Sequence, residues 1–164
     1  MTPDMTPRMT PGPPRVRDSF SWLFLMLALI WAAVLWVLLL SEPGNLNLPR
    51  TPDFVLNFGH AVIFAVLSGL LYLGLPKGHA FLLLALLLSG LYGALLEFLQ
   101  SWVPGRIADP IDAMTNVLGA ALGISLLRAL LNWRQHGLRN AALLWLPLLL
   151  LVASLGSALL ATLA

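Results

Sequence analysis

A run of about 20 apolar residues constrains a chain more than any motif, because inside a bilayer the backbone must satisfy its own hydrogen bonds and a helix is the simplest way to do so. Five such runs are legible here: Phe20 to Leu40, Asp53 to Leu75, His79 to Val103, Pro110 to Leu131 and Ala141 to Leu163. Pro and Gly punctuate them, in SEPGN after the first, at Pro76 and Gly78 after the second, and at Pro104-Gly105 after the third. No internal repeat and no period-two strand pattern competes with them. The composition agrees: 59% of residues are hydrophobic, 10% are charged, and mean hydropathy is +0.88. A soluble domain carries roughly a quarter charged residues, and 164 residues cannot hide this much apolar surface from water. The expected fold is all-α, a polytopic membrane bundle of five transmembrane helices.

Residues 1 to 18, MTPDMTPRMTPGPPRVRD, are a different material, with TP repeated and proline dominant. Such a segment has no apolar area to bury and is expected to be a disordered tail, leaving 19 to 164 as the membrane domain. The apolar run that follows exceeds a signal-peptide core and has no A-x-A cleavage site, so the first span is read as uncleaved. There is no cysteine, which excludes disulfides, thiolate zinc sites and thiol nucleophiles. The net charge of +2 and pI of 9.7 come from a few arginines at membrane edges, so no nucleic-acid partner is expected.

Lysine and arginine set the expected orientation. Arg8, Arg15 and Arg17 precede the first span, Lys77 lies between the second and third, and Arg128, Arg134 and Arg139 lie around the fourth-to-fifth connection. The other loops hold only Arg50 and Arg106. The bias places the N terminus in the cytoplasm and the chain in the cell inner (cytoplasmic) membrane.

The polar residues then fall together. Three of the seven acidic residues, Glu97, Asp109 and Asp112, lie between Gly93 and Gly123, with Gln100, Arg106 and Asn116. All sit toward the outer end of spans three and four, and span two enters from the same side with Asp53, Asn57 and His60. At a rise of about 1.5 Å per residue, Glu97 and Asn116 lie roughly 9 Å below the loop and His60 roughly 12 Å. Asp112 and Asn116 share a helix stripe with Gly119 and Gly123, and Glu97 and Gln100 share one with Gly90 and Gly93. Small residues let helices approach closely, and polar groups in a span turn to protein or a water cavity. The expectation is one outward-facing polar pocket walled by spans two, three and four.

The pattern E-x2-Q-x3-PGR-x2-D-x2-D-x3-N-x2-G-x3-G, here Glu97, Gln100, Pro104, Gly105, Arg106, Asp109, Asp112, Asn116, Gly119 and Gly123, resembles the signature of the VanZ-like family. These are small bacterial membrane proteins named for a protein associated with teicoplanin resistance. The resemblance covers about Asp53 to Leu127. It departs upstream: family members often carry D-K-x-x-H where this chain reads DFVLNFGH, with Phe54 at the lysine place, Asn57 at the histidine place and His60 one turn on. Lysine-dependent chemistry is therefore not expected.

The residues admit a functional assignment and a structural one. Functionally, Glu97 and His60, with Asp112, form the catalytic set, the first two as a general acid–base pair. Arg106 holds a phosphate or carboxylate through its planar fork, and Gln100, Asn116, Asp109 and Asn57 help bind the substrate. Structurally, Asp109-Pro110 is an N-cap followed by a good first helical residue, Asp112 suits the positive end of that helix, and Pro104-Gly105 is a type II turn. Glu97 and Arg106 suit a buried ion pair, Gln100 and Asn116 interhelical hydrogen bonds, and His60 a satisfied core position. His79, His136 and the tryptophans are read as membrane-edge residues. Glu97, Asp112 and His60 could ligate a hard cation, but their spacing is not diagnostic and no metal site is assigned. No cofactor is called for, and no GxSxG or HExxH nucleophile or zinc motif occurs.

Three functional classes follow. The first is an enzyme or binder acting on an anionic lipid-linked or cell-envelope intermediate, with membrane lipids and that head group as partners. The second is a non-catalytic envelope or assembly protein whose polar cluster is structural. The third, an ion- or proton-coupled transporter, is disfavoured by five spans without a repeat. The last helix, ALLWLPLLLLVASLGSALLATLA, carries no charge and is expected to pack or face lipid, bent if anywhere near Pro147. Oligomeric state leaves no mark in the sequence.

Overall fold

The computed structural model describes residues 17–41, 53–104, 109–136 and 145–163. Among them the chain is all helical: α1 (Arg17–Leu40), α2 (Asp53–Gly74), α3 (His79–Gln100), α4 (Pro110–His136) and α5 (Trp145–Leu163). Most of the expected tail, residues 1–16, lies outside the described residues, and Arg17 and Asp18 already belong to α1.

The helices wear their apolar residues outward. Trp22, Leu29 and Leu91 are 64–67% exposed, along with large aliphatic and aromatic side chains on every helix. In water such a surface would aggregate; in lipid it is solvated. Phe20–Leu40, His79–Gln100 and Pro110–Arg134 are long and apolar enough to cross a membrane, whereas the described apolar parts of α2 and α5, Phe58–Gly74 and Pro147–Gly156, are shorter. The five-span expectation thus holds fully for α1, α3 and α4 and in part for α2 and α5.

Interhelical contacts fix the directions. Trp31 on α1 donates its indole N–H to Ile63 O on α2 at 2.9 Å, and Gly74 lies against Leu25, so α1 and α2 run antiparallel. Tyr92 on α3 donates to Ala32 O at 2.6 Å and Gln100 Nε2 to Leu39 O at 3.0 Å, so α1 and α3 are parallel. Gly119 and Gly123 of α4 lie on Ala61 and Ala65 of α2, again parallel, and Ser68 Oγ donates to Ala120 O at 2.7 Å. The first four helices alternate up and down, as short connections dictate. Trp31 is therefore not the interfacial anchor expected of it: it sits mid-helix, in the group packed on Ala28, Leu35, Leu39, Phe64, Leu67 and Leu96.

The α2–α4 contact is the tightest in the bundle. A Cβ built on Gly119 would overlap the carbonyl oxygen and Cα of Ala61, and one on Gly123 those of Ala65. The two glycines, one turn apart, form a small-residue seam that brings backbones together where hydrophobic sorting cannot, because lipid is as apolar as the side chains.

Two boundaries differ from expectation. The α3 helix ends at Gln100, not Val103, and tightens into a turn in which Trp102 N bonds Leu99 O at 3.1 Å and Val103 N bonds Gln100 O at 3.0 Å. The α4 helix passes Leu131 and continues to His136, because no Gly or Pro interrupts LLNWRQH. Of the expected fifth span, Ala141–Leu144 lie outside the described residues. Pro147 falls in the first turn of α5, where proline is tolerated.

Candidate functional site

The site is assembled at the end of α3, the start of α4 and the second turn of α2. The chain leaves α3 at Gln100, and α4 opens at Asp109. Asp109 is the N-cap: its Oδ1 accepts from Ile111 N at 2.7 Å, and its carbonyl accepts from Asp112 N at 3.0 Å and Ala113 N at 3.2 Å. This satisfies donors that every helix start leaves open. The Asp109 N–H in turn donates to Glu97 Oε1 at 2.9 Å, tying the last turn of α3 to the first of α4.

With α4 started there, Asp112 falls in its first turn and Asn116 one turn deeper. The α2–α4 glycine seam brings His60 alongside. His60 Nδ1 and Asn116 Oδ1 are 3.1 Å apart. For Oδ1 to accept, Nδ1 carries a proton, and in the neutral imidazole that leaves the lone pair on Nε2. A ring nitrogen of His60, a carboxylate oxygen of Glu97 and one of Asp112 all lie within 4.8 Å of one another. Three helices thus each contribute one titratable side chain to a single point. Glu97 is 5% exposed and Asn116 1%, while His60 and Asp112 are half-buried. Among the described residues the amide nitrogen of Asn116 is buried without a hydrogen-bond partner. Gly93 faces Asn116 Cβ and the Phe64 ring, so α3 can lie close enough for Glu97 to reach α4.

A family model described as VanZ/LLP1 matches residues 19–132. The chain belongs to the VanZ-like family. The matched span takes in α1 as well as α2, α3 and almost all of α4, which is wider than the signature segment from Asp53 to Leu127; α5 lies beyond it. No curated protein and no solved structure matches the chain.

The VanZ-like signature sorts under this geometry. His60, Glu97, Asp112 and Asn116 converge. Gln100 is buried but its amide nitrogen goes to Leu39 O, one of the last carbonyls of α1, which has no partner within its own helix. Asp109 caps α4. Gly119 and Gly123 are the seam. Arg106 lies outside the described residues, as does the Asn57 side chain, and with them the expected Glu97–Arg106 pair and the Asn57 contact. Trp31, Ser68 and Tyr92, which the sequence did not single out, carry interhelical bonds to main-chain oxygens.

Two apolar recesses lie elsewhere. One, about 260 Å³, is bordered by Leu82 and Leu86 of α3, Ile124 and Arg128 of α4 and Leu150 of α5; the other follows Ile30 to Leu38 of α1 and Ser41 just after it. Neither touches the polar cluster.

Proposed function

We propose that this VanZ-like protein binds the anionic head group of a lipid-linked cell-envelope intermediate at the His60–Glu97–Asp112–Asn116 cluster, which faces the outer side of the cell inner membrane. The observation that carries the reading is the convergence of one titratable side chain from each of three helices to within 4.8 Å in a chain that is 59% hydrophobic. Bringing ionisable groups into a membrane span is costly, and spans keep such groups where a polar ligand or ion needs them. In this reading Arg106, which follows the Pro104-Gly105 turn, holds a phosphate or carboxylate. Glu97 and His60 provide an acid–base pair beside it, and Asp112 joins them. Gln100 and Asp109 support the site by fixing α1 and α4, and Asn57 lies near its mouth. The family's link to teicoplanin resistance fits a role at the envelope.

The competing reading, an envelope or assembly protein with a structural cluster, draws on Gln100 and Asp109, whose hydrogen bonds are those of scaffolding. The test is binding of a long-chain lipid phosphate to the purified chain in nanodiscs, alongside teicoplanin susceptibility of an expressing host. Arg106→Ala should abolish both in the protein fraction that remains folded, and Arg106→Lys should restore little, because an ammonium lacks the bidentate fork. Undiminished binding by folded Arg106→Ala protein would favour the structural reading.

A further inference from the structure

We infer that His60, Glu97 and Asp112 form a binding site for a divalent transition-metal cation of the zinc or manganese class, with Asn116 as its supporting residue. The cation site stands on the geometry alone; only its connection to a lipid head group rests on the function proposed above.

The donor set is the first argument. One imidazole nitrogen and two carboxylate oxygens lie within 4.8 Å of one another, each on a different helix. Donors around a cation bound at about 2.0–2.2 Å are themselves roughly 3–3.5 Å apart, so small side-chain rotations close the shell. An imidazole beside two carboxylates suits zinc, manganese or iron, whereas calcium and magnesium take all-oxygen shells. Three protein ligands also leave positions open for water or a ligand oxygen, as catalytic zinc sites do.

The second argument is the support around those donors. A metal-bound histidine hands its other ring N–H to an acceptor, which fixes the tautomer and the ring plane. Asn116 Oδ1, 3.1 Å from His60 Nδ1, is placed to be that acceptor and leaves Nε2 for the cation. Glu97 is held in the same manner by the Asp109 N–H at 2.9 Å. A histidine kept merely as core filling would not need two acids from two other helices within 4.8 Å of a ring nitrogen.

The third observation is independent of the acids. Asn116 is 1% exposed, its oxygen is turned to His60, and its amide nitrogen is buried with no partner among the described residues. A buried donor left unmade is costly, and such donors normally find an acceptor. An oxygen brought in with the cation, from water or from a phosphate, is the kind of acceptor this donor lacks, and Asn116 belongs to the same cluster through its contact with His60.

The experiment uses the full chain without an affinity tag, stripped with chelator and reconstituted in nanodiscs, then titrated with Mn²⁺ and read by electron paramagnetic resonance. Wild-type protein should bind about one saturable equivalent and unfold at a higher temperature when loaded. Asp112→Asn and His60→Gln should each remove saturable binding, and Asn116→Ala should weaken it about 10–100-fold, as loss of an outer-shell partner does. Circular dichroism decides which variants are folded; the Asp112→Asn change, at a half-buried position and nearly isosteric, keeps the test alive if His60→Gln does not fold. His79 and His136 remain in every variant and report background binding. The inference falls if folded wild-type protein shows no saturable Mn²⁺ or Zn²⁺ binding, or if Asp112→Asn binds as wild type does. It also falls if a cation enters only after Arg106→Ala, since the guanidinium would then be the resident positive charge. Lipid-phosphate binding is scored separately, on stripped and loaded protein, so that failure of the cation site and failure of the proposed function remain distinguishable.

Discussion

At the scale of single residues, the polar groups of this chain divide by what they touch. Asp109 serves α4 by capping it, so Asp109→Ala should cost about 1 kcal/mol and Asp109→Asn very little, since asparagine caps as well as aspartate; the unfolding midpoint of the purified protein in detergent checks this. Gln100 serves α1 through the Leu39 carbonyl, and Gln100→Leu should cost roughly 1–3 kcal/mol by leaving that buried acceptor unpaired. These structural roles were partly legible in the sequence. Asp109-Pro110 announces a helix start by residue type alone. The destination of Gln100 was not legible, because a main-chain carbonyl carries no side-chain signature. Trp31, Ser68 and Tyr92 were invisible for the same reason. Asn116 is the instructive case: its spacing to Asp112 placed it on the correct face, but only packing against α2 showed that its partner is His60.

Among the elements, the α2–α4 seam decides whether the site exists. Gly119 and Gly123 meet the backbone of α2 directly, while Gly69, also on α2, has no heavy atom near a would-be Cβ. Gly119→Val or Gly123→Val should therefore push α4 off α2 and separate Asn116 from His60, at a cost above the usual 1–3 kcal/mol of overpacking because main-chain atoms cannot rotate away. Gly69→Ala should be tolerated, with folded yield in the same preparation as the check. The Gly119–Gly123 stripe was readable as a close helix approach, but the sequence could not say which helix would approach. Helix starts were read accurately at Asp53, His79 and Pro110, where proline or glycine stands beside them. The ends of α1 and α2 were read to within a residue, but those of α3 and α4 were not: α3 tightens into a turn before Pro104, and α4 overruns Leu131 because nothing stops it.

For the whole molecule, alternation of the first four helices brings the α2 entry, the α3 exit and the α4 entry to the same end of the bundle. That end carries His60, Glu97 and Asp112, and the opposite end carries Lys77. Lys77 is exposed and donates to Tyr72 O at 2.8 Å at the C-terminus of α2, where a cation complements the helix dipole. In the orientation expected from the charge bias, that end faces the cytoplasm. The chain has no cysteine, so a single cysteine introduced at position 77 should react with a membrane-impermeant reagent only after the membrane is opened. Labelling of intact cells at position 77 would invert the orientation. The all-helical class was legible from apolar run length alone, whereas the convergence of three helices on one point is a property of packing. That convergence is the core of the account, and Glu97→Gln tests it most directly. Glutamine keeps an oxygen for the Asp109 N–H and exchanges the other oxygen, with the charge, for an amide NH2. Lipid-phosphate binding and the unfolding midpoint should be measured on the same preparation. The account predicts a midpoint close to wild type with tighter lipid-phosphate binding, because the carboxylate no longer competes with the anion for Arg106. Unchanged binding, or binding that falls in proportion to the folded fraction, would contradict it.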